Sequence, residues 1–285
     1  MKAIRILLAV LQLGFFLGAT ACRRAPAPDQ PIEKADKPSG PKLEGKDLIL
    51  RKGLEITLVQ DGAGVAAKPR KILVENPSGA EGLAFTWRLA DQAGSSPESL
   101  PSGALPEPGD GSGKMTLANT VDGRRMTLPL FWPGGELFLS NSTAIWLSDK
   151  AFDELKKEGK TVWGLGLLDN PLLGPAQGNE LIEASLELAN RGLEAWPDKK
   201  AAAQELKVTD DSADFSLKLN GVTREVAVLE AGNWLARLKI LDNAQNPLIL
   251  EVEVAPETKA ANLFFPLSWI RPWLNYRVSE IALKP

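Results

Sequence analysis

Apolar and polar residues alternate with a period of two along much of the chain after residue 50. The runs Leu54 to Leu58, Lys71 to Val74, Leu83 to Leu89, Ser216 to Leu219 and Leu248 to Val254 are short and rich in aliphatic and aromatic residues. Such runs predict strands with one face on a core and the other in water. Asp122-Gly123 and Asn220-Gly221 fall between alternating stretches, and both dipeptides favour the positive φ angles of tight hairpin turns. After each comes a Gly-containing bend and another aromatic-aliphatic run, at 143–147 and 234–241, and a Leu-Asp-Asn triplet recurs at 168–170 and 241–243. The chain therefore reads as mainly β, an antiparallel sandwich or barrel-like set of sheets with one or two short helices and room for two related β-modules.

One helix is well signalled. Ser148 caps it, Asp149 and Asp153 suit its positive N-terminal end, Ala151, Phe152 and Leu155 form an apolar stripe, and Lys156 and Lys157 precede Gly159 at its close. A second segment, 180–189, fits either a strand or a helical face, and its alternation at Ile182, Ala184, Leu186 and Leu188 favours the strand. Asp91 to Gly113, dense in Ser, Pro and Gly, reads as a long loop. These elements divide the body into a β-rich domain with the short helix, 47–175, and a second β-rich domain, 176–285.

The beginning of the chain has a different pattern. Lys2 and Arg5 make a short positive region, Ile6 to Leu17 an apolar stretch, and Gly18 to Ala21 a small-residue end, which together predict an export signal over 1–21. The apolar run is shorter than the roughly 18 to 20 residues that span a bilayer. Directly after it stands Cys22, the single cysteine. This arrangement resembles the lipobox of bacterial lipoproteins, in which the signal is cut between the residues here numbered Ala21 and Cys22, the thiol is diacylated and the new amino terminus is acylated with fatty acids such as palmitate. Ala19 departs from the pattern, since Leu is usual three residues before the cysteine, and Ala19-Thr20-Ala21 also meets the A-x-A rule of ordinary signal peptidase. Acylation removes the odd reactive thiol that a secreted protein would otherwise carry. From 22 to 46, Pro26, Pro28, Pro31, Pro38 and Pro41 sit among small and polar residues, with Ile32 and Leu43 as the sizeable aliphatics. That composition buries too little apolar surface to offset its ordering entropy, so it predicts a disordered linker, whose Arg23 and Arg24 suit anionic headgroups.

Composition removes whole classes of chemistry. The chain has 33 basic and 36 acidic residues and no histidine; without Lys2 and Arg5 the balance is 31 against 36, near −5. Nucleic-acid binding has no electrostatic support. A Ser-His-Asp triad, a Cys-His pair or a His-based zinc site cannot be built. With the sole thiol assigned to acylation, thiol redox and disulfide frameworks are excluded as well.

Several fragments imitate functional motifs without their context. Gly62 to Ala67 resembles a dinucleotide fingerprint, but Lys68-Pro69 breaks the helix that must receive the pyrophosphate. Gly109 to Met115 has one residue too few for a phosphate loop and Met115 where a magnesium-binding hydroxyl belongs. Ser39 to Lys42 matches S-x-x-K but lies in the linker, and Leu229 to Gly232 lacks the aspartate of an acid-protease motif. Asp210, Asp211 and Asp214 offer oxygen ligands for calcium but not the longer loop that would hold it, so they read as a solvated turn. Trp269, Arg271, Trp273, Tyr276 and Arg277 form a possible binding patch, because flat rings stack on sugars or sit at membrane interfaces while guanidinium groups take carboxylates and phosphates. The same residues would also serve to complete a core.

The expectation is a membrane-anchored cell-envelope lipoprotein, held on the periplasmic or surface face of a membrane, that acts by binding or assembly without catalysis, cofactor or metal. Its partners would be the membrane, through the acyl chains on Cys22, and an envelope protein or peptidoglycan. The competing expectations are a carboxylate-dependent hydrolase such as a glycosidase, with two acids across a cleft, and a lipid carrier with a large apolar cavity.

Overall fold

The computed structural model describes residues 42–43, 47–60, 69–77, 82–89, 112–127, 135–165, 204–233, 236–254 and 275–283. Their strands are β1 (Leu54–Gln60), β2 (Arg70–Asn76), β3 (Leu83–Leu89), β4 (Ser112–Ala118), β5 (Arg125–Met126), β6 (Gly135–Ser140), β7 (Lys160–Val162), β8 (Gly164–Leu165), β9 (Glu205–Leu219), β10 (Val222–Gly232), β11 (Ala236–Leu241), β12 (Ile249–Val254) and β13 (Tyr276–Leu283). The helix α1 covers Asp149–Glu158. The protein is mainly β, as its alternation predicts.

Eleven strands form one sheet in the order β6-β4-β3-β2-β1-β13-β12-β11-β10-β9-β7, and β5 and β8 form a separate parallel pair. Two antiparallel meanders, β1 to β4 and β9 to β12, are joined by β13, which pairs with β1 over seven residue pairs from Leu54↔Leu283 to Gln60↔Tyr276 and with β12 at Glu251↔Arg277 and Val252↔Tyr276. A short parallel contact of β13 with β9, at Glu280↔Lys218 and Ile281↔Leu219, curls the second meander partly into a ring without completing a barrel. The described residues all belong to the compact unit Pro38–Pro285, and β7 pairs with β9, so one sheet contains strands from both sides of residue 175.

Burial follows the pleat. In β1, Leu54, Ile56 and Leu58 are buried while Glu55, Thr57 and Val59 face outward, and β2 repeats this with Ile72 and Val74. The inward side chains of both meanders, the stripe Ala151, Phe152 and Leu155 of α1, and Trp146 and Trp163 form a single apolar cluster. Phe85 and Trp146 meet there with ring centroids 5.5 Å apart and planes tilted by 53°, a favourable aromatic geometry.

The turn and cap chemistry is mostly local. Asn220 and Gly221 have φ of 50° and 80°, the left-handed pair that a type I′ hairpin needs, and join β9 to β10. The same turn docks on β13: Asn220 N donates to the Ile281 carbonyl, and Asn220 Oδ1 accepts from Leu283 N at 2.8 Å. In α1 the Ser148 side chain accepts from Ala151 N, and Gly159, left-handed at φ 71°, closes the helix through Leu155 O.

Asp122-Gly123 does not form the hairpin that the sequence predicts. Thr120–Asp122 is a 3₁₀ turn entered through left-handed Asn119, and Gly123 has φ −57°. The reason is an occupied sheet: β4 pairs antiparallel with β3 and parallel with β6, so the chain after Gly123 has no edge to fold back on. It passes instead into β5. Residues 143–147, expected as a strand, make isolated bridges at Thr143 to Met126 and Trp146 to Leu248. Ser112 and Gly113, expected at the end of a loop, begin β4, and Leu229 to Gly232 extend along β10. The segments 61–68 and 180–189 lie outside the described residues.

Three segments far apart in sequence are tied by buried amides. Asn246 accepts from Trp146 Nε1 at 3.0 Å and donates to the Leu48 carbonyl at 2.7 Å, and Asn243 Nδ2 donates to the same carbonyl at 3.0 Å. Asn246 is fully buried and Asn243 nearly so. Asn243→Ala leaves Leu48 O with a donor and releases only the part-buried N–H of Gln245, whereas Asn246→Ala leaves the buried indole N–H without an acceptor. An orphaned buried polar group costs about 1–3 kcal/mol, so Asn246→Ala should lower unfolding free energy by roughly 2–4 kcal/mol once the small cavity is included. Urea denaturation should show this loss to be larger than that of Asn243→Ala.

Candidate functional site

A cavity of about 500 Å³ lies where the β1–β4 meander, the segment leading into α1 and the β11–β12 connection converge. Its first wall comes from the start of β3 and the end of β4, where Leu83 faces Leu117 in register. Gly82, at φ 83°, makes that wall possible, because a Cβ there would run into the Leu117 carbonyl. Asn119, left-handed at φ 54°, turns the chain out of β4 so that Thr120 and Val121 form the next part of the rim. At the end of the neighbouring β6, Asn141 is also left-handed, and its N–H donates to Ala118 O at 3.1 Å. The chain then crosses to Thr143, fixed between Arg125 O and Thr127 N, and on to Trp146, fixed by Asn246. Gln245 and Pro247 close the far side, with Gln245 N donating to Asn243 Oδ1 at 2.9 Å.

The lining is mixed. Leu50, Leu83, Leu117, Leu147 and Pro247 supply apolar surface, and Asn119, Thr120 and Gln245 supply neutral polar groups. The one charged residue lining the cavity, among those described, is Asp149. It stands on the exposed rim at the first turn of α1. Partial withdrawal from water, and then the neighbouring Asp153, push its carboxyl above the ordinary value.

Asp149 differs from three nearby acids, Asp122, Asp153 and Glu154, which are paired. Asp122 meets Lys150 at 3.1 Å and Asp153 meets Lys157 at 3.0 Å. Glu154 takes both terminal nitrogens of Arg124 at 2.6 Å, and Thr161 Oγ1 accepts from Arg124 at 2.7 Å while donating to Glu154 at 2.6 Å. This triangle ties α1 to β7 and to Arg124, the residue that precedes β5. The Arg124 hydrogen bonds, then that of Thr161, hold the Glu154 carboxyl down to about 2, and Glu154 in turn raises Arg124. Asp149 has no cationic partner among the described residues.

The residues singled out from the sequence lie elsewhere. Ala21, Cys22, Trp269, Arg271 and Trp273 are outside the described residues. Tyr276 is buried in β13 with its hydroxyl donating to Ile249 O at 3.2 Å, and burial pushes its phenol well up. Arg277, the next residue, points to the opposite face, where its guanidinium lies 4.6 Å from the centre of the Phe215 ring and donates to Ser216 O. The structure therefore puts these two side chains in different environments. Asp210 accepts from Ser212 N at 2.8 Å and from its hydroxyl at 3.0 Å, which lowers its carboxyl, and Asp214 pairs with Lys42. Among the described residues no group of three His, Cys, Asp or Glu is arranged to hold a metal ion. Sequence reasoning missed the cavity, because its residues come from separate segments; the Ser148-Asp149 cap and the Leu241-Asp242-Asn243 triplet were its only visible signals.

Glu154→Gln tests the paired surround. Its ordinary carboxyl value is 4.5 and its folded value about 2, so the stabilisation is complete above pH 4.5 and is lost as pH falls towards 2. At pH 7 the variant should be less stable by roughly 1–2 kcal/mol, the lower part of the range for charged hydrogen bonds because the pair is partly solvated. Urea titrations at stepped pH should show the gap between wild type and variant narrowing below pH 4.5.

Comparison with known protein families, curated proteins and solved structures finds no match.

Proposed function

We propose that this chain is a lipid-anchored protein of the bacterial cell envelope whose β-rich body acts by binding. The observation that carries the anchor is the position of the single cysteine, Cys22, directly after Lys2, Arg5, the apolar run Ile6 to Leu17 and the small residues Gly18 to Ala21. Each buried acyl methylene contributes about 0.8 kcal/mol, so more than one chain gives durable attachment.

The body supports the reading in two ways. Where the chain enters it, Leu43 N donates to Glu225 O at 2.9 Å, Leu43 bridges Val226, and Lys42 pairs with Asp214. A tether from Cys22 would thus be grafted onto β9 and β10 at a defined point, and Leu43, placed in the linker by its sequence context, packs on the core. The cavity supplies the binding element: its volume and mixed lining suit a small ligand. In the envelope, the partners of such a body would be another protein or peptidoglycan.

Growth of the source bacterium with an alkyne fatty-acid analogue should label the wild-type protein and leave Cys22→Ser unlabelled, with the variant shifted out of the membrane fraction. An unlabelled wild type, or label retained by Cys22→Ser, would remove the anchor.

A further inference from the structure

We infer that the cavity between β3, β4, α1 and the β11–β12 connection takes a small ligand carrying a cationic amine on an apolar body, with the amine at Asp149. This rests on the binding reading above and names its ligand class. Three observations carry it. The first is size: about 500 Å³ falls in the range of small-molecule sites, roughly 300–1,000 Å³, and is too small for a polymer. The second is the distribution of polarity. Leu83, Leu117 and Pro247 offer an apolar bed, while the groups able to reorient towards a polar head, Asn119, Thr120 and Gln245, are neutral.

The third observation is the charge at the cavity itself. Asp153 and Glu154 on α1 and Asp122 beside it each have a cation of their own in Lys157, Arg124 and Lys150, while Glu158, at the far end of α1 and away from the cavity, forms no ion pair among the described residues. Asp149 has none among the described residues, and no Lys or Arg among them lines the cavity. An anionic ligand would meet a carboxylate there without compensation, whereas an ammonium group would give Asp149 the cation that the lining lacks. The positive end of α1 suits a negative charge at Asp149, and an ammonium partner would offset the partial withdrawal from water that raises its carboxyl. A ligand amine would also hydrogen-bond that carboxylate, giving a charge-assisted contact of the stronger kind.

Isothermal titration of the full-length protein in detergent, corrected for partition into empty micelles, can use three probes of one shape: cyclohexylmethylamine, cyclohexylmethanol and cyclohexanecarboxylate. The amine should bind about tenfold more tightly than the alcohol, the difference expected of one charge-assisted hydrogen bond, and the carboxylate should be weakest. Asp149→Asn, which keeps the side-chain size and helix position, should reduce the amine to the level of the alcohol without changing the alcohol. Asp153→Asn removes the same charge one turn along α1, outside the cavity lining, and should leave the amine's preference intact. Equal binding of amine and alcohol to the wild type, or loss of the preference in both variants alike, would overturn the assignment of an amine to Asp149 while leaving a binding cavity. Failure of all three probes to bind would overturn the cavity as a ligand site as well.

Discussion

Asn246 accepts the indole N–H of Trp146 and gives its own amide N–H to the carbonyl of Leu48, in a place where water does not reach. None of these groups could be buried without a partner except at a penalty of about 1–3 kcal/mol, and Asn246 supplies the indole's acceptor while sharing the Leu48 carbonyl with Asn243. The contact spans 198 residues of sequence between Leu48 and Asn246. It brings the entry to β1, the approach to α1 and the β11–β12 connection to one point. The cavity wall is built on that point, since Trp146, Ala244, Gln245 and Pro247 line it. The Leu147 N–H to Pro247 O and Ile249 N–H to Ile145 O bonds extend the same attachment along the backbone.

The sheet depends on a second long-range event, the insertion of β13 between β1 and β12. Before it, each meander has an unpaired edge, with backbone donors and acceptors that would otherwise pair elsewhere. Afterwards the two share a core, and Val278 and Ile281 are buried within it. The Asn220-Gly221 turn then reaches β13 through Asn220 and through Gly221 N to Glu280 Oε1 at 3.1 Å. A local turn therefore has a non-local part, because its side chain and backbone also hold the β9–β10 end to β13.

Charge has a more local part. Salt bridges on the outer faces, such as Lys114 with Glu75 at 3.2 Å and Lys157 with Asp153 at 3.0 Å, are solvated and contribute little. Arg124, Glu154 and Thr161 form a shared, shorter set of hydrogen bonds and tie α1 to β7 and to the residue that precedes β5. Arg70, buried at the start of β2, keeps its charge at neutral pH, since burial lowers its guanidinium only to about 10. Asp149 forms no ion pair among the described residues, and it is the charged one of them that lines the cavity.

The sequence by itself determined what short-range physics controls. Period-two alternation marked β1, β2, β3 and β12; Ser148, the Ala151-Phe152-Leu155 stripe and Gly159 marked α1; Asn220-Gly221 marked the β9–β10 turn. Each depends on residues within a few positions of one another. Asp122-Gly123 carried the same local signal and was misread, because its outcome depended on whether β4 had a free edge, and β3 and β6 had taken both. The partners of β13, the pairing of Asn243 and Asn246 with Leu48, and the meeting of Gly82, Asn119, Asp149 and Gln245 around one cavity were decided only by the tertiary structure. Their interactions join residues tens to hundreds of positions apart, and no local periodicity encodes which buried donor will meet which acceptor.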